Sequence, residues 1–441
     1  MLVLIKNGYV IDPASRREGQ FDILVEDDRI KKVDRNIDPA EFLSEDDITV
    51  LYATGKYVMP GFIDLHVHLR EPGYEYKETI RTGSAAAAAG GFTTICPMPN
   101  TKPATDNADR IQLILQKAEA EAVVNILPIG AVTIGQEGIE LSDISAMVKA
   151  GAAAISEDGK SVMDAALYAE GMRHAARSGI PVFAHCEDKS LAGNGVINAG
   201  KKAEELKLPG ISNAVEDIIV KRDIQLAKET GARLHLCHCS TRDSVKMLAL
   251  AKEEGLPVTG EVCPHHFTLT EEDIIGDNSD YKMNPPLRAA EDVKALKEAL
   301  RDGIIDVIAT DHAPHSAEEK AKSFKEAPFG ITGLETAFAL TMTELVRTGY
   351  LTPAQMVERM CVSPARILGI DRGCIGEGSV ADIVIADPDK EYHIDRESFL
   401  SKGKNTPFHG RKVRGRILYT FVSGKLVYEY KNNQEAINRI G

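Results

Sequence analysis

A chain of 441 residues, 43% hydrophobic and 27% charged, with 36 Gly and 20 Pro, has ample material for a folded core and falls outside the disordered, collagen-like and low-complexity classes. Its 66 Asp and Glu outweigh 52 Lys and Arg, a formal net charge of −14. The field as a whole therefore repels nucleic acid and anionic membrane surfaces, while a local cationic pocket for a small anion remains allowed.

The chain opens MLVLIKNGYVIDP with an acid-rich continuation, and no stretch reaches the roughly 18 apolar residues of a spanning helix. A soluble, cytoplasmic protein is expected. Short β-type runs at residues 2–5, 21–25, 30–33 and 49–52 alternate with turns such as Glu26-Asp27-Asp28. The same character returns at residues 381–386, 415–422 and 425–428, the last two joined by a Ser423-Gly424 turn. Neither end has enough strands for a comfortable sheet, which predicts that residues 1–58 and 370–441 pair into one small composite β-sandwich domain.

Between the ends the period changes. Apolar, β-branched runs at residues 61–65, 92–96, 123–129, 152–155, 181–184, 233–237, 257–262 and 304–309 are each followed by a helix-like stretch. The segments 163–176, 215–229, 245–254 and 290–301 carry the amphipathic period. Eight β/α alternations predict an α/β fold, a distorted TIM (β/α)8 barrel over residues 59–369, with a doubly wound open sheet as the alternative. The early strands lack the GxGxxG that would favour the open sheet.

The seven cysteines are odd in number and form no CxxC pair, so reduced thiols are expected. Cys237 and Cys239, set in an apolar run, read as packing residues rather than ligands. Function in such barrels gathers at the carboxyl ends of the strands. The first strand ends in Asp64-Leu65-His66-Val67-His68-Leu69-Arg70, where His66 and His68, two apart, face one side. Glu157-Asp158 follows the fourth strand, His185 the fifth and His238 the sixth, and Thr310-Asp311-His312 ends the eighth. Taken singly, His185 and His238 read as ordinary polar residues and Asp311 as a helix cap. Together they predict two metal ions held by nitrogen and oxygen ligands, zinc rather than magnesium or calcium. Two cations with a bridging anion bring a shared water near neutrality, so hydrolysis is predicted, with Asp311 as proton carrier.

Four segments carry a resemblance: HVHLREPG at residues 66–73, MPNT at 98–101, NPPLR at 284–288 and ATDHAPH at 309–315. They resemble the amidohydrolase superfamily, and specifically class I, bacterial-type dihydroorotases, over nearly the whole chain. The resemblance implies that His66, His68 and Asp311 hold one zinc, His185 and His238 the second, and that an anionic side chain bridges them. That bridge is assigned to Asp158, with a carboxylated Lys160 as the alternative and Glu157 as the neighbouring carboxylate. It also implies substrate contacts from His68, Arg70, Asn100, Asn284, His315, Phe329 and Gly330, Arg70 being the fork for a carboxylate. The implied reaction is reversible conversion of (S)-dihydroorotate to N-carbamoyl-L-aspartate in pyrimidine biosynthesis, through a hydroxide bridging the zinc ions. A hydantoinase, dihydropyrimidinase or allantoinase is the alternative enzyme, and a noncatalytic partner of aspartate carbamoyltransferase the alternative of another class. A homodimer, and a complex with that transferase, are further implied partners. His265 and His266 in CPHHF are expected to pack rather than ligate, and the charge-rich segment 318–325 is expected to form an exposed, mobile loop that closes over substrate.

Overall fold

The computed structural model describes residues 2–42, 48–430 and 437–438. Strands from the two ends of the chain share one sheet. Leu2–Asp12 pairs antiparallel with Arg17–Glu26 and parallel with Ile48–Tyr52 and Tyr57–Pro60. Tyr57–Pro60 in turn pairs antiparallel with Ile383–His393, which leads to Lys412–Val422 and Lys425–Glu429. The pairing has an apolar cause. Val3, Ile5, Val10 and Ile23 from one end pack into one buried cluster with Ile383, Ile385 and Phe421 from the other, so neither end has a complete core alone.

The middle of the chain is the (β/α)8 barrel. Its strands are Phe62–Val67, Phe92–Pro97, a split third strand (Asn125–Ile126 and Ile129–Ala131), Ala154–Ser156, Val182–Ala184, Leu234–Leu236, Val258–Val262 and Val307–Ile308. Neighbours are parallel throughout. The third strand is interrupted at Leu127-Pro128, where proline has no N–H for the ladder. A bridge between Val67 and His312 closes the ring, supported by donation from His68 N–H to the His312 carbonyl at 2.8 Å. Every residue of the first two strands is buried, as expected of strands covered by side-chain layers inside and helices outside.

The surrounding helices start where short polar side chains cap them. Thr79, Asn107, Asp164 and Thr241 each accept a backbone N–H from the first turn of the helix they precede. Gly179, Gly231 and Gly303 close three helices in the left-handed region. Segment 318–325 differs from its expectation of an exposed loop. Ala317–Lys320 forms a short helix, Phe324 is buried, and the Lys320 ammonium turns inward to the carbonyls of Pro328 and Gly330 at 3.2 and 3.1 Å. Its one aromatic and the aliphatic stem of Lys320 give the segment something to bury, which alternating charge conceals in sequence. No helix among the described residues is long and apolar enough to cross a membrane.

Candidate active site

Six side chains from five strand ends meet at the mouth of the barrel, with Asp158 at their centre. Asp158 Oδ1 lies 3.2 Å from His66 Nε2, 3.5 Å from His185 Nδ1 and 3.8 Å from His238 Nε2, and Oδ2 lies 3.6 Å from His68 Nε2. Asp311 Oδ1 stands 3.0 Å from His68 Nε2 and 3.4 Å from His66 Nε2. His185 Nδ1 and His238 Nε2 are 2.9 Å apart. The pattern is two halves, His66, His68 and Asp311 on one side and His185 and His238 on the other, sharing Asp158. Arg70, His238 and Asp311 all take positive φ, at 59°, 34° and 49°. These uncommon conformations for non-glycine residues aim side chains that regular strand geometry would send elsewhere.

Each imidazole of the first half is oriented from behind. His66 Nδ1 meets Glu261 Oε1 at 2.9 Å, and His68 Nδ1 meets Asn100 Oδ1 at 2.9 Å. Both oxygens accept, so each Nδ1 carries a proton and each Nε2 faces the centre. His185 Nε2 meets Glu187 Oε2 at 3.2 Å, leaving its Nδ1 inward. Glu261 is fully buried on the seventh strand and also accepts from His235 at 3.0 Å and from the His238 backbone N–H at 3.2 Å. Asp64 accepts from the backbone N–H groups of His66 and Thr310, both at 3.1 Å, and from the Thr310 hydroxyl at 2.6 Å, tying the first strand to the eighth.

Charge in the cluster is mutually compensated. Burial disfavours the Asp158 carboxylate, but the facing His66, His185 and His238 imidazoles hold it well below the usual carboxylate range. Burial likewise works against a charged His66, and Asp158 and Asp311 override it, pushing that imidazole well above the ordinary histidine value. His185 follows the same balance and reaches about 10. His66 Nε2 and Asp158 Oδ1 are both buried and, among the described residues, have no hydrogen-bond partner. Buried polar atoms that nothing satisfies are rare. The groups His66, His68, Asp311 and His66, Asp158, His238 have ligand atoms clustered closely enough to hold a metal ion. This donor set of imidazole nitrogens and carboxylate oxygens fits a divalent cation.

The Asp158 alternatives are occupied elsewhere. Glu157 accepts from the Val132 and Thr133 backbone N–H groups, both at 3.1 Å, and from the Thr133 hydroxyl, so it pins the third strand to the fourth. Lys160 is exposed and donates to the Gln136 carbonyl at 2.8 Å. His266 donates to the Pro285 carbonyl at 2.9 Å, seating the 284–288 segment, and burial pushes its pKa down to about 4. His265, His266 and Cys263 do form a further buried group with metal-compatible spacing.

The cavity in front of the cluster has a volume of 160 Å³ and is lined by Arg70, Asn100, Asn284, Phe329 and Gly330 along with every member of the cluster except His66. Asn284 donates to Glu187 Oε1 at 3.1 Å, and Asn100 donates to Asp158 Oδ2 at 3.2 Å. Asn100 therefore accepts from His68 and donates to Asp158, a supporting role that the sequence pattern does not show. Arg70 Nε donates to the Pro314 carbonyl at 3.2 Å. His315 is not part of the cavity lining. It stands behind Arg70 with its Nε2 2.8 Å from the Phe329 carbonyl and lines a neighbouring cavity with Lys320, Lys402 and Lys404. Gly330, at φ +124°, passes so close to Ala313 that a Cβ would sit 2.6 Å from the alanine methyl. Asn405, from beyond the barrel, donates to the carbonyls of Ala313 and Gly330 at 3.1 and 3.0 Å.

Sequence reasoning missed Glu261, Glu187, Asp64 and Asn405. The signal available for Glu261 and Asp64 was a carboxylate inside an otherwise apolar strand. For Asn405 there was none, since its partners lie 75 and 92 residues away.

Residues 55–244 match the protein family described as dihydro-orotase-like. A protein of Caldanaerobacter subterraneus subsp. tengcongensis named dihydroorotase is 47% identical over 99% of this chain and 100% of its own length. One from Staphylococcus aureus strain MRSA252 with the same name is 46% identical over 97% of this chain and 99% of its own. Among solved structures, L-hydantoinase (dihydropyrimidinase) from Arthrobacter aurescens superposes with a TM-score of 0.85 at 29% identity, covering 97% of this chain and 96% of that one. With near-complete coverage on both sides and a cluster of histidines and aspartates at the barrel mouth, the chain belongs to the dihydroorotase family.

Proposed function

We propose that this chain is a dihydroorotase, a cyclic amidohydrolase interconverting (S)-dihydroorotate and N-carbamoyl-L-aspartate in pyrimidine biosynthesis. The observation that carries the reading is the pairing, in one small cavity, of the Asp158-centred cluster with the Arg70 guanidinium. Two zinc ions belong to the proposal, His66, His68 and Asp311 holding one and His185 and His238 the other, with Asp158 between them. When bound they supply Lewis acidity at the ring carbonyl and a water acidic enough to attack near neutral pH.

The remaining work falls to side chains of this chain. Arg70 forks onto the substrate carboxylate and so places the ring against the cluster. Asn284, and Phe329 and Gly330 through backbone groups, bound the ring at the other side of the cavity. As the water oxygen joins the ring carbonyl carbon and the ring C–N bond breaks, Asp311 takes a proton from the water and delivers it to the departing nitrogen. In the reverse direction Asp311 returns that proton. Burial raises the Asp311 carboxyl but His66 and His68 hold it far below the usual range, so it stands ionised.

In this reading residues 59–369 form the hydrolase barrel, and residues 1–58 with 370–441 form a composite domain whose Asn405 braces the site. A cytoplasmic location, a homodimer and a complex with aspartate carbamoyltransferase belong to the same reading through the family resemblance. A hydantoinase or dihydropyrimidinase is supported less well. The solved structures so named share 24% to 29% identity with this chain, against 45% to 48% for the dihydroorotases. Their substrates also lack the carboxylate that Arg70 is placed to bind. The deciding assay compares hydrolysis of dihydroorotate and dihydrouracil by the purified, metal-loaded protein. Preference for dihydroorotate by a factor of about a hundred or more is expected; equal turnover of both would defeat the assignment.

A further inference from the structure

His315 has two ring nitrogens and two very different neighbours. Its Nδ1 lies 3.2 Å from the Lys77 ammonium, and its Nε2 lies 2.8 Å from the Phe329 carbonyl and 3.3 Å from Arg70 Nη2. An ammonium has three donors and no acceptor, so Nδ1 must present a lone pair to Lys77. The ring is neutral: burial, followed by the Arg70, Lys77 and Lys320 cations, drives its pKa far below the ordinary histidine value. A neutral imidazole carries one proton, which therefore sits on Nε2 and is donated to the Phe329 carbonyl. Arg70 Nη2 then faces an N–H rather than a lone pair, and its own N–H there has no acceptor in His315.

We propose that Lys77 is a positioning residue that locks His315 in the Nε2–H tautomer and thereby keeps the Arg70 fork free for the substrate carboxylate. This rests on the assignment of Arg70 as the carboxylate clamp. The alternative tautomer is close at hand. Glu319 Oε2 lies 3.6 Å from His315 Nδ1, near enough to receive a proton from that side once Lys77 is gone. Nε2 would then accept from Arg70 and release the Phe329 carbonyl. One proton shift would occupy the clamp and loosen the neighbouring backbone at Phe329 and Gly330.

Lys77 is built for the role. It is half-buried, its ammonium is paired with Glu319 Oε1 at 2.8 Å, and it stands 5.4 and 5.5 Å from the Tyr74 and Tyr76 ring centroids. Tyr76 also donates to Glu319 Oε1 at 3.2 Å. Three contacts hold the ammonium against His315, although Lys77 touches neither the cavity nor the metal-compatible cluster.

The test joins nitrogen NMR of histidine-labelled protein with steady-state kinetics on wild type, Lys77→Met and Lys77→Arg, the His315 signals being assigned by their loss in His315→Gln. In wild type the Nδ1 shift should be that of an unprotonated nitrogen and Nε2 that of a protonated one. In Lys77→Met the pattern should invert, with KM for dihydroorotate rising about tenfold and kcat changing by less than about threefold. Lys77→Arg, which also only donates, should keep the wild-type tautomer and KM. Protonated Nδ1 in wild type, or an unchanged KM in Lys77→Met, would overturn the proposal, and the first readout stands even if that variant misfolds. If the tautomer inverts in Lys77→Met while Arg70→Met leaves KM unchanged, the lock is real and the clamp assignment is the part that fails.

Discussion

The two walls of the cavity are held in opposite ways. On the cluster wall, His66, His68, Asp158, His185, His238 and Asp311 sit at strand ends, and every buried charge has a compensating partner within about one hydrogen bond, Glu261, Glu187 and Asp64 standing behind them. On the opposite side, Arg70 on the cavity wall, and Lys282 and Lys320 behind Phe329 and Gly330, find mostly backbone carbonyls. Lys282 donates to Lys325 and Ala327 at 3.0 and 2.6 Å, and Arg70 to Pro314. Carbonyls satisfy donors without cancelling charge. A net anionic protein thus keeps one wall cationic toward an anionic substrate, and the other closely balanced around a cation.

Variants of the two walls should separate these roles. The largest effect belongs to Asp158→Ala, which removes the group common to both halves: bound zinc, measured by elemental analysis, should fall together with kcat by about a thousandfold or more. Full retention of both would mean that the halves do not share Asp158. Arg70→Met should lower kcat/KM for dihydroorotate by about a hundredfold, with metal content unchanged, which steady-state assays beside metal analysis will read. Loss of metal in that variant would erase the distinction between the walls. Glu261→Gln, which weakens the acceptor behind His66 and keeps its shape, should reduce metal affinity by about tenfold to a hundredfold by competition with a chelator.

The smallest effect is a pH dependence confined to Lys320, behind the cationic side of the cavity. Burial lowers the Lys320 pKa from 10.5 to about 8. Between about 8 and 10.5 the unfolded chain therefore binds more protons at this site than the folded one, and stability rises with pH. The melting temperature of wild type relative to Lys320→Met should thus climb by about 1 to 3 °C from pH 8 to 10. A flat difference would show that Lys320 is not desolvated as its contacts with Pro328 and Gly330 require.

Most of the architecture was legible in the chain. The eight apolar runs became the eight barrel strands because strands buried on both faces need mostly apolar residues, as in Val182–Ala184. The third strand shows the limit of that logic: one run, residues 123–129, became two pieces because Pro128 lacks a donor. Segment 318–325 shows another, where charge suggested solvent and Phe324 with Lys320 found the interior. At the site, the strand-end rule located His66, His68, Asp158, His185, His238 and Asp311, which do converge. The resemblance placed His315 and Asn100 against the substrate; Asn100 lines the cavity while bracing His68 and Asp158, and His315 stands behind Arg70.

The amino-acid sequence alone determined which residue types stand at the ends of the strands, and so the chemistry available at the barrel mouth. Tertiary structure decided how each is aimed. The proton on His66 Nδ1 is set by Glu261, the brace on Gly330 comes from Asn405, and Arg70, His238 and Asp311 take positive φ that regular strands would not give. The physical reason is range: periodicity and local propensity act over a few residues, whereas hydrogen bonds that orient a ring join positions far apart, 195 residues between His66 and Glu261.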